Sequence, residues 1–337
     1  MVPNVATIED VTDQLIGVFA DPAILIGIPL ALLGAVFMSL GALYQHRGVQ
    51  KVERITNSSG SAGLSGAQLF SLLRRPSWVV GTVMLGLAIV CQLAALAFAP
   101  LILVQPLGAV SLVITTLLNA RITGVKPTRR SVRSIILCVG GILAFVTIAA
   151  FVATEKPIAE PQLITILILL AIVLALSGGT WLLVRKGAKP LFYIAASGII
   201  YGFVATLAKV VIKRLQAGDF EWLTLLCLVG LIAGTAIGAY FVQTAYSVGP
   251  PDLVIAGLTV IDPIVAVLIG IVVLQEAATA PWPAMVGFAV AGAVAVYGVI
   301  TLARNHPQVE LDSQQLPIPR GSSKKPPSTG VDRDPLG

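Results

Sequence analysis

Nine long apolar stretches run through this chain, at residues 22–44, 78–99, 101–119, 132–153, 164–184, 191–211, 222–246, 253–274 and 283–302. A helix needs about 20 predominantly apolar residues to cross the hydrocarbon core of a bilayer. That core holds no water to satisfy unpaired backbone groups, so each stretch must pair its own N–H and C=O groups as a helix. The runs neither alternate nor confine their apolar residues to one face, which sets them apart from strands and from the surface helices of soluble domains. Only 11% of the 337 residues are charged and 56% are hydrophobic, against about 25% charged in a soluble domain. So few charges do not cover a water-facing surface. The expected fold is an all-α polytopic membrane protein with nine transmembrane helices. The first stretch is too long for the apolar core of a signal peptide and no basic residue precedes it, so no cleaved signal is expected. Residues 11–20 are short and weakly amphipathic, and lie at most on the membrane surface.

The basic residues give the chain a direction. Arg47, Lys51, Arg54, Arg74 and Arg75 follow the first stretch, and Arg121, Lys126, Arg129, Arg130 and Arg133 follow the third. Arg185, Lys186 and Lys189 follow the fifth, and Arg304, Arg320, Lys324, Lys325 and Arg333 lie at or beyond the end of the ninth. With nine spans, these 18 of the 22 Lys and Arg residues fall on one side. The positive-inside rule makes that side cytoplasmic. The expectation is a multi-pass protein of the cytoplasmic (inner) membrane, with its N-terminus outside and its C-terminus in the cytoplasm. The net charge of +6 therefore reads as topology, not as nucleic-acid binding. Residues 52–77, with the run Asn57-Ser58-Ser59-Gly60-Ser61, read as a flexible connection. The tail 304–337, rich in Pro, Ser, Lys and Asp, reads as disordered.

Several chemistries are excluded. Cys91, Cys138 and Cys227 are far apart with no C-x-x-C pair, and His46 and His306 are the only histidines, so neither a disulfide framework nor a multi-histidine metal centre is supported. No nucleophile triad, H-E-x-x-H or phosphate-loop motif is present. The chain is not expected to be an enzyme, needs no cofactor, and has no ATP site to drive transport.

Self-comparison points to a duplication. The first stretch contains Gly34-Ala-Val-Phe-Met-Ser-Leu-Gly41 and ends in Gln45-His46-Arg47; the sixth contains Gly202-Phe-Val-Ala-Thr-Leu-Ala208 and ends in Lys213-Arg214. The second closes on Leu96-Ala-Phe-Ala-Pro100 and the seventh on Thr244-Ala-Tyr-Ser-Val-Gly-Pro250, and each feeds a stretch holding a proline, Pro106 or Pro263. The reading is two four-helix repeats, 22–153 and 191–303, joined by a connecting helix within 154–190, with 1–21 as an extracytoplasmic segment. Four helices plus one connector invert the second repeat, an arrangement found in alternating-access transporters. Gly27, Gly34 and Gly41, and Gly230, Gly234 and Gly238, are spaced for close helix packing. Gly178-Gly179 offers a bend in the fifth stretch.

Charge inside a bilayer needs a reason, since it costs about 2.5–3.5 kcal/mol even on insertion scales. Asp262 lies ten residues into the eighth stretch, about 15 Å along its axis and near the midplane. It reads as a substrate or metal ligand, as the N-cap of a half-helix starting at Pro263, or as both. Lys209 either snorkels to the interface or pairs with Asp262 or an anionic substrate. Asp252 and Glu276, at opposite ends of the eighth stretch, read as gate or cap residues near water. Gln92, Gln105 and Gln243 offer amides for substrate or for helix–helix hydrogen bonds. Pro106 and Pro263 free carbonyls and read as hinges.

The stretch Leu96-Ala-Phe-Ala-Pro-Leu-Ile-Leu-Val-Gln-Pro-Leu-Gly-Ala109 resembles the NIPA-like magnesium transporters of the drug/metabolite transporter superfamily. Their matching segment is an Ala-Phe-Ala-Pro turn followed by Val-Thr-Pro-Leu-Gly-Ala. Asp262-Pro263 followed by Gln275-Glu276 looks like the superfamily's proline-bearing helix ending in Glu, and Lys209 matches a lysine common in the sixth helix. This chain has Gln105 where the family has Thr, and closes its third stretch on Asn119-Ala120-Arg121 without the family's carboxylate. The resemblance implies a secondary or channel-like transporter of Mg²⁺ or another divalent cation, working by alternating access. Two alternatives stand beside it: export or flipping of a small metabolite or lipid carrier, and a membrane scaffold that transports nothing. The expected partners are membrane lipids, the transported ion or solute and, in a homodimer, a second copy of the chain.

Overall fold

The computed structural model describes residues 23–56, 76–123, 128–184, 190–249 and 251–304. The N-terminal segment 1–21 and the tail beyond Arg304 lie outside the described residues. Among the described residues ten α-helices form: α1 (Ile28–Thr56, entered through a π-helical turn at Ala23–Gly27), α2 (Pro76–Phe98), α3 (Leu101–Gly108), α4 (Val110–Thr123), α5 (Arg129–Val152), α6 (Glu160–Val184), α7 (Pro190–Ala217), α8 (Trp222–Val248), α9 (Pro251–Val272) and α10 (Trp282–Arg304). Among the described residues they supply nine segments long and apolar enough to cross a membrane, with α3 and α4 together making the third. The chain is an all-α multi-pass membrane protein. Large apolar side chains such as Ile136, Leu176 and Leu183 are more than half exposed. That is the outward face a helix presents when lipid rather than water surrounds it.

Three elements depart from the reading of the sequence. Helix α1 does not stop near Tyr44 but runs to Thr56, because Gln50, Lys51, Glu53 and Arg54 favour helix outside the apolar run. The connection expected from residue 52 therefore starts no earlier than 57. Helix α6 passes unbroken through Gly178-Gly179. The third span is broken at Ala109, whose N–H bonds back to Pro106 O at 3.2 Å. Ser111 Oγ donates to Gly108 O at 2.7 Å, and Ser39 Oγ on α1 sits 2.8 Å from Ser111 O. These hydroxyls brace the break from both sides, while the carbonyl that Pro106 itself leaves without a helical N–H is that of Ile102.

Helix α1 packs on α2 and on α3–α4, α7 on α8 and α9, and α5 on α10. Helix α7 is the central one, with 61% of its span buried inside the protein. Gly230, Gly234 and Gly238 of α8 lie against Leu207, Val204 and Tyr201 of α7, as tight packing requires. The α7–α9 contact is closer still: a Cβ at Gly198 would stand 2.7 Å from Ile261 Cβ, and one at Gly202 would stand 2.6 Å from Val265 Cβ. Helices α5 and α10 approach backbone to backbone. A Cβ at Gly141 would lie 2.5 Å from Ala295 N, whereas its neighbour Gly140 has nothing within 4 Å. Thermal unfolding in detergent should separate the two. Gly141→Ala is expected to destabilise by at least about 1–3 kcal/mol through overpacking, and Gly140→Ala to be neutral or up to about 1 kcal/mol stabilising.

Candidate functional site

Helix α3 begins without a cap of its own. Pro100 stands at its N-cap with no side-chain hydrogen bond, and Leu101 and Ile102, its first residues, are fully buried. Their N–H groups point away from the helix and have no water to turn to, a deficit worth about 1–3 kcal/mol each. The deficit is filled from far along the chain. Glu276 Oε1 accepts from Leu101 N, and Glu276 Oε2 from Ile102 N, both at 2.9 Å. A carboxylate suits this position twice over, through charge-assisted hydrogen bonds and through the positive end of the helix dipole.

Local geometry just beyond α9 aims that carboxylate. Gln275 takes a left-handed conformation, φ 56°, and Glu276 N then closes back on Gly270 O at 2.9 Å, in the manner of a Schellman turn. Gly270 leaves room for the side chain, because a Cβ there would stand 2.9 Å from Glu276 Oε2. Thr154 N donates to Glu276 O at 2.7 Å, tying in the α5–α6 connection.

Lys209 completes the cluster from α7. Its Nζ donates to Glu155 Oε1 at 2.6 Å and to Ala99 O at 2.9 Å, and pairs with Glu276 Oε1 at 3.0 Å. Lys213, one turn on, holds Glu155 Oε2 at 2.7 Å. Beside them Arg214 reaches Glu221 at 2.9 Å and Thr224 at 3.0 Å. A cavity of 340 Å³ opens over the cluster, its charged lining made of Glu155, Lys156, Lys209, Lys213, Arg214, Asp219 and Glu276. Lys156, Lys209, Lys213 and Arg214 are the four Lys and Arg residues that do not lie on the basic side of the topology.

The structure thus corrects expectations for three charged residues. Lys209 neither snorkels nor pairs with Asp262; it is 3% exposed and bound to Glu155 and Glu276. Asp262 does not start a half-helix, because α9 continues through Pro263. Asp262 is half-buried, and its Oδ1 is inaccessible with no hydrogen-bond partner among the described residues. It sits at the close α7–α9 contact, its N 3.6 Å from where a Cβ at Gly198 would be. Glu276, expected near water, is 2% exposed.

Pro106 and Pro263 line one apolar cavity of 480 Å³, bounded also by Ile142, Phe145, Phe288 and Val299. Pro263 has no N–H for the carbonyl of Thr259, which lines the same cavity. Gln105 is buried and Gln92 half-buried, while Gln243 is exposed. Asp252 lies in the first turn of α9, and its side chain is outside the described residues. Glu155, Lys213 and Ser39 were missed. Glu155 carried one sequence signal, an acid in a short loop on the side with few basic residues.

Comparison with known proteins bears on this architecture. The family described as Magnesium transporter NIPA matches residues 23–184. Over those residues, just under half of its length, the chain is similar to that family. An uncharacterized protein of Corynebacterium glutamicum is 28% identical over 259 residues, 75% of this chain and 86% of that protein. The probable magnesium transporters NIPA3 and NIPA4 of Arabidopsis thaliana are 32% and 33% identical over 36% and 34% of this chain. Those matches span 31% and 32% of the plant proteins, about a third of their length. No solved structure matches.

The two arms of the cluster should weigh differently. Glu276→Gln leaves the buried Lys209 short of a counter-charge and is expected to destabilise by about 3–5 kcal/mol. Lys213→Met breaks a pair whose side chains are 26% and 30% exposed, and should shift stability by no more than about 1 kcal/mol. Denaturation of the purified protein in detergent checks both.

Proposed function

We propose that the chain is a secondary transporter or channel-like permease that carries Mg²⁺ or another divalent cation across the membrane, with Asp262 as the midplane carboxylate. The observation that carries this reading is the Asp262 Oδ1 atom, buried within a membrane-spanning helix with no partner among the described residues. An uncompensated carboxylate at that depth is expensive, and a passing cation offsets it. Magnesium takes oxygen ligands and keeps several waters, so one carboxylate with the carbonyl that Pro263 frees makes a weak, exchangeable site. The related plant proteins are named probable magnesium transporters, which supports the choice of cation.

In this reading residues 22–153 and 191–303 act as two inverted repeats rocking about the site, with the basic loops in the cytoplasm. The recurring pairing of α1 with α2 and with α3–α4, and of α7 with α8 and α9, supports the repeat. Import would draw on the membrane potential, about 2.3 kcal/mol per charge per 100 mV. A second reading, passage of a lipid carrier or small organic solute, is favoured by the 480 Å³ apolar cavity between the two prolines.

Mg²⁺ uptake into proteoliposomes under an imposed potential tests both. Wild type should exceed empty vesicles and Asp262→Asn should fall to their level. Uptake retained by Asp262→Asn moves the site elsewhere. A folded wild type that carries no Mg²⁺ removes the cation and leaves the organic solute.

A further inference from the structure

We propose that Glu276, Lys209 and Glu155 form a latch that holds the bundle shut on the face opposite its basic loops, between the charged vestibule and Asp262. The inference rests on the transport reading for its purpose, but its test does not use transport.

The latch joins parts of the chain that a rocking motion would have to separate. Glu276 lies on the connection leaving α9 and holds the first residues of α3. Lys209 on α7 binds that carboxylate, the carbonyl of Ala99 between α2 and α3, and Glu155 on the α5–α6 connection. Gln162 near the start of α6 adds a bond to Val273 O at 3.0 Å. Asp262 lies ten residues before Val272, about 15 Å along α9, and does not line the vestibule. Glu276 and Lys209 are the most buried of the charged residues that line it.

Burial is graded across the cluster. The Lys209 and Glu276 side chains are 4% and 3% exposed, while Glu155 and Lys213 are 30% and 26% exposed. Water in the vestibule therefore reaches the Glu155 arm first. Parting a buried pair in a dry interior leaves uncompensated charge, but the vestibule supplies water to each group as it comes free. Two arrangements follow, one dry and paired, the other wet and separated, as a bistable switch requires. A permanent tie needs no charge here, since apolar residues often hold helices as well as a buried ion pair does.

Thr154 offers a reporter, because its Oγ1 is buried without a partner while its N–H is bound to Glu276 O. With Cys91, Cys138 and Cys227 replaced by Ala, a Thr154→Cys protein in lipid nanodiscs is labelled with a hydrophilic maleimide. Labelling should be slow with the latch intact. It should rise about tenfold, the shift given by about 1.4 kcal/mol, in Lys209→Met and in the milder Glu155→Gln, and stay slow in Glu155→Asp. A parallel protein retaining only Cys138, buried in the α5–α10 contact, should show no change. Unchanged labelling of the reporter in folded Glu155→Gln overturns the latch. So does an equal rise at Cys138, which marks general loosening. A protein silent for Mg²⁺ whose reporter still responds loses the transport reading and keeps the latch.

Discussion

A carboxylate on an uncapped helix start is the interaction around which this protein is arranged. Leu101 and Ile102 lie where neither lipid nor packed side chains offer a hydrogen-bond acceptor, and Pro100 brings none. Glu276 supplies both acceptors from another helix's end, and its charge in turn calls for Lys209. Lys209, being buried, draws in Ala99 O and Glu155. Each group is placed by the need to satisfy the one before it, since an unmatched polar group in this setting is costly. The left-handed Gln275 and the side-chain-free Gly270 exist in service of that carboxylate.

Besides Asp252 in its first turn, helix α9 and the turn that ends it carry two carboxylates with opposite fates. Glu276 has backbone donors and an ammonium; Asp262 Oδ1 has no partner among the described residues. The first is a structural anion whose surroundings fit it in one arrangement. The second has one carboxyl oxygen that no described residue satisfies. Their separation along one rigid helix, about 15 Å from Asp262 to the end of α9, means that a movement of α9 affects both at once.

The segregation of charge fits the same picture. The sequence reading assigns eighteen basic residues to one side of the topology, and the other four line the vestibule. On that second face the acids Glu155, Asp219, Glu221 and Glu276 answer them. The apolar cavity between Pro106 and Pro263 lies apart from this polar set and shares none of its lining residues. Among the described residues, the ion pairs of Lys209, Lys213 and Arg214 gather at this one vestibule.

The amino-acid sequence alone determined the nine spans and their order, because the bilayer imposes its requirement locally: each stretch must be long and apolar enough, whatever its neighbours do. It also marked Asp262, Glu276 and Lys209 as charges needing a reason, since a charge in an apolar run shows without any partner. What it did not hold was which charge meets which. That depends on the rotation of each helix about its axis and on which helices lie side by side. Lys209 faces Glu155 and Glu276, residues 54 and 67 positions away, rather than Asp262. The break of the third span at Ala109 was likewise braced from a distant part of the chain, by Ser39 of α1, whereas the continuation of α1 follows from the local helix preference of Gln50, Lys51, Glu53 and Arg54. Span spacing is a property of one helix against lipid; pairing is a property of helices against each other, and only the tertiary structure decided it.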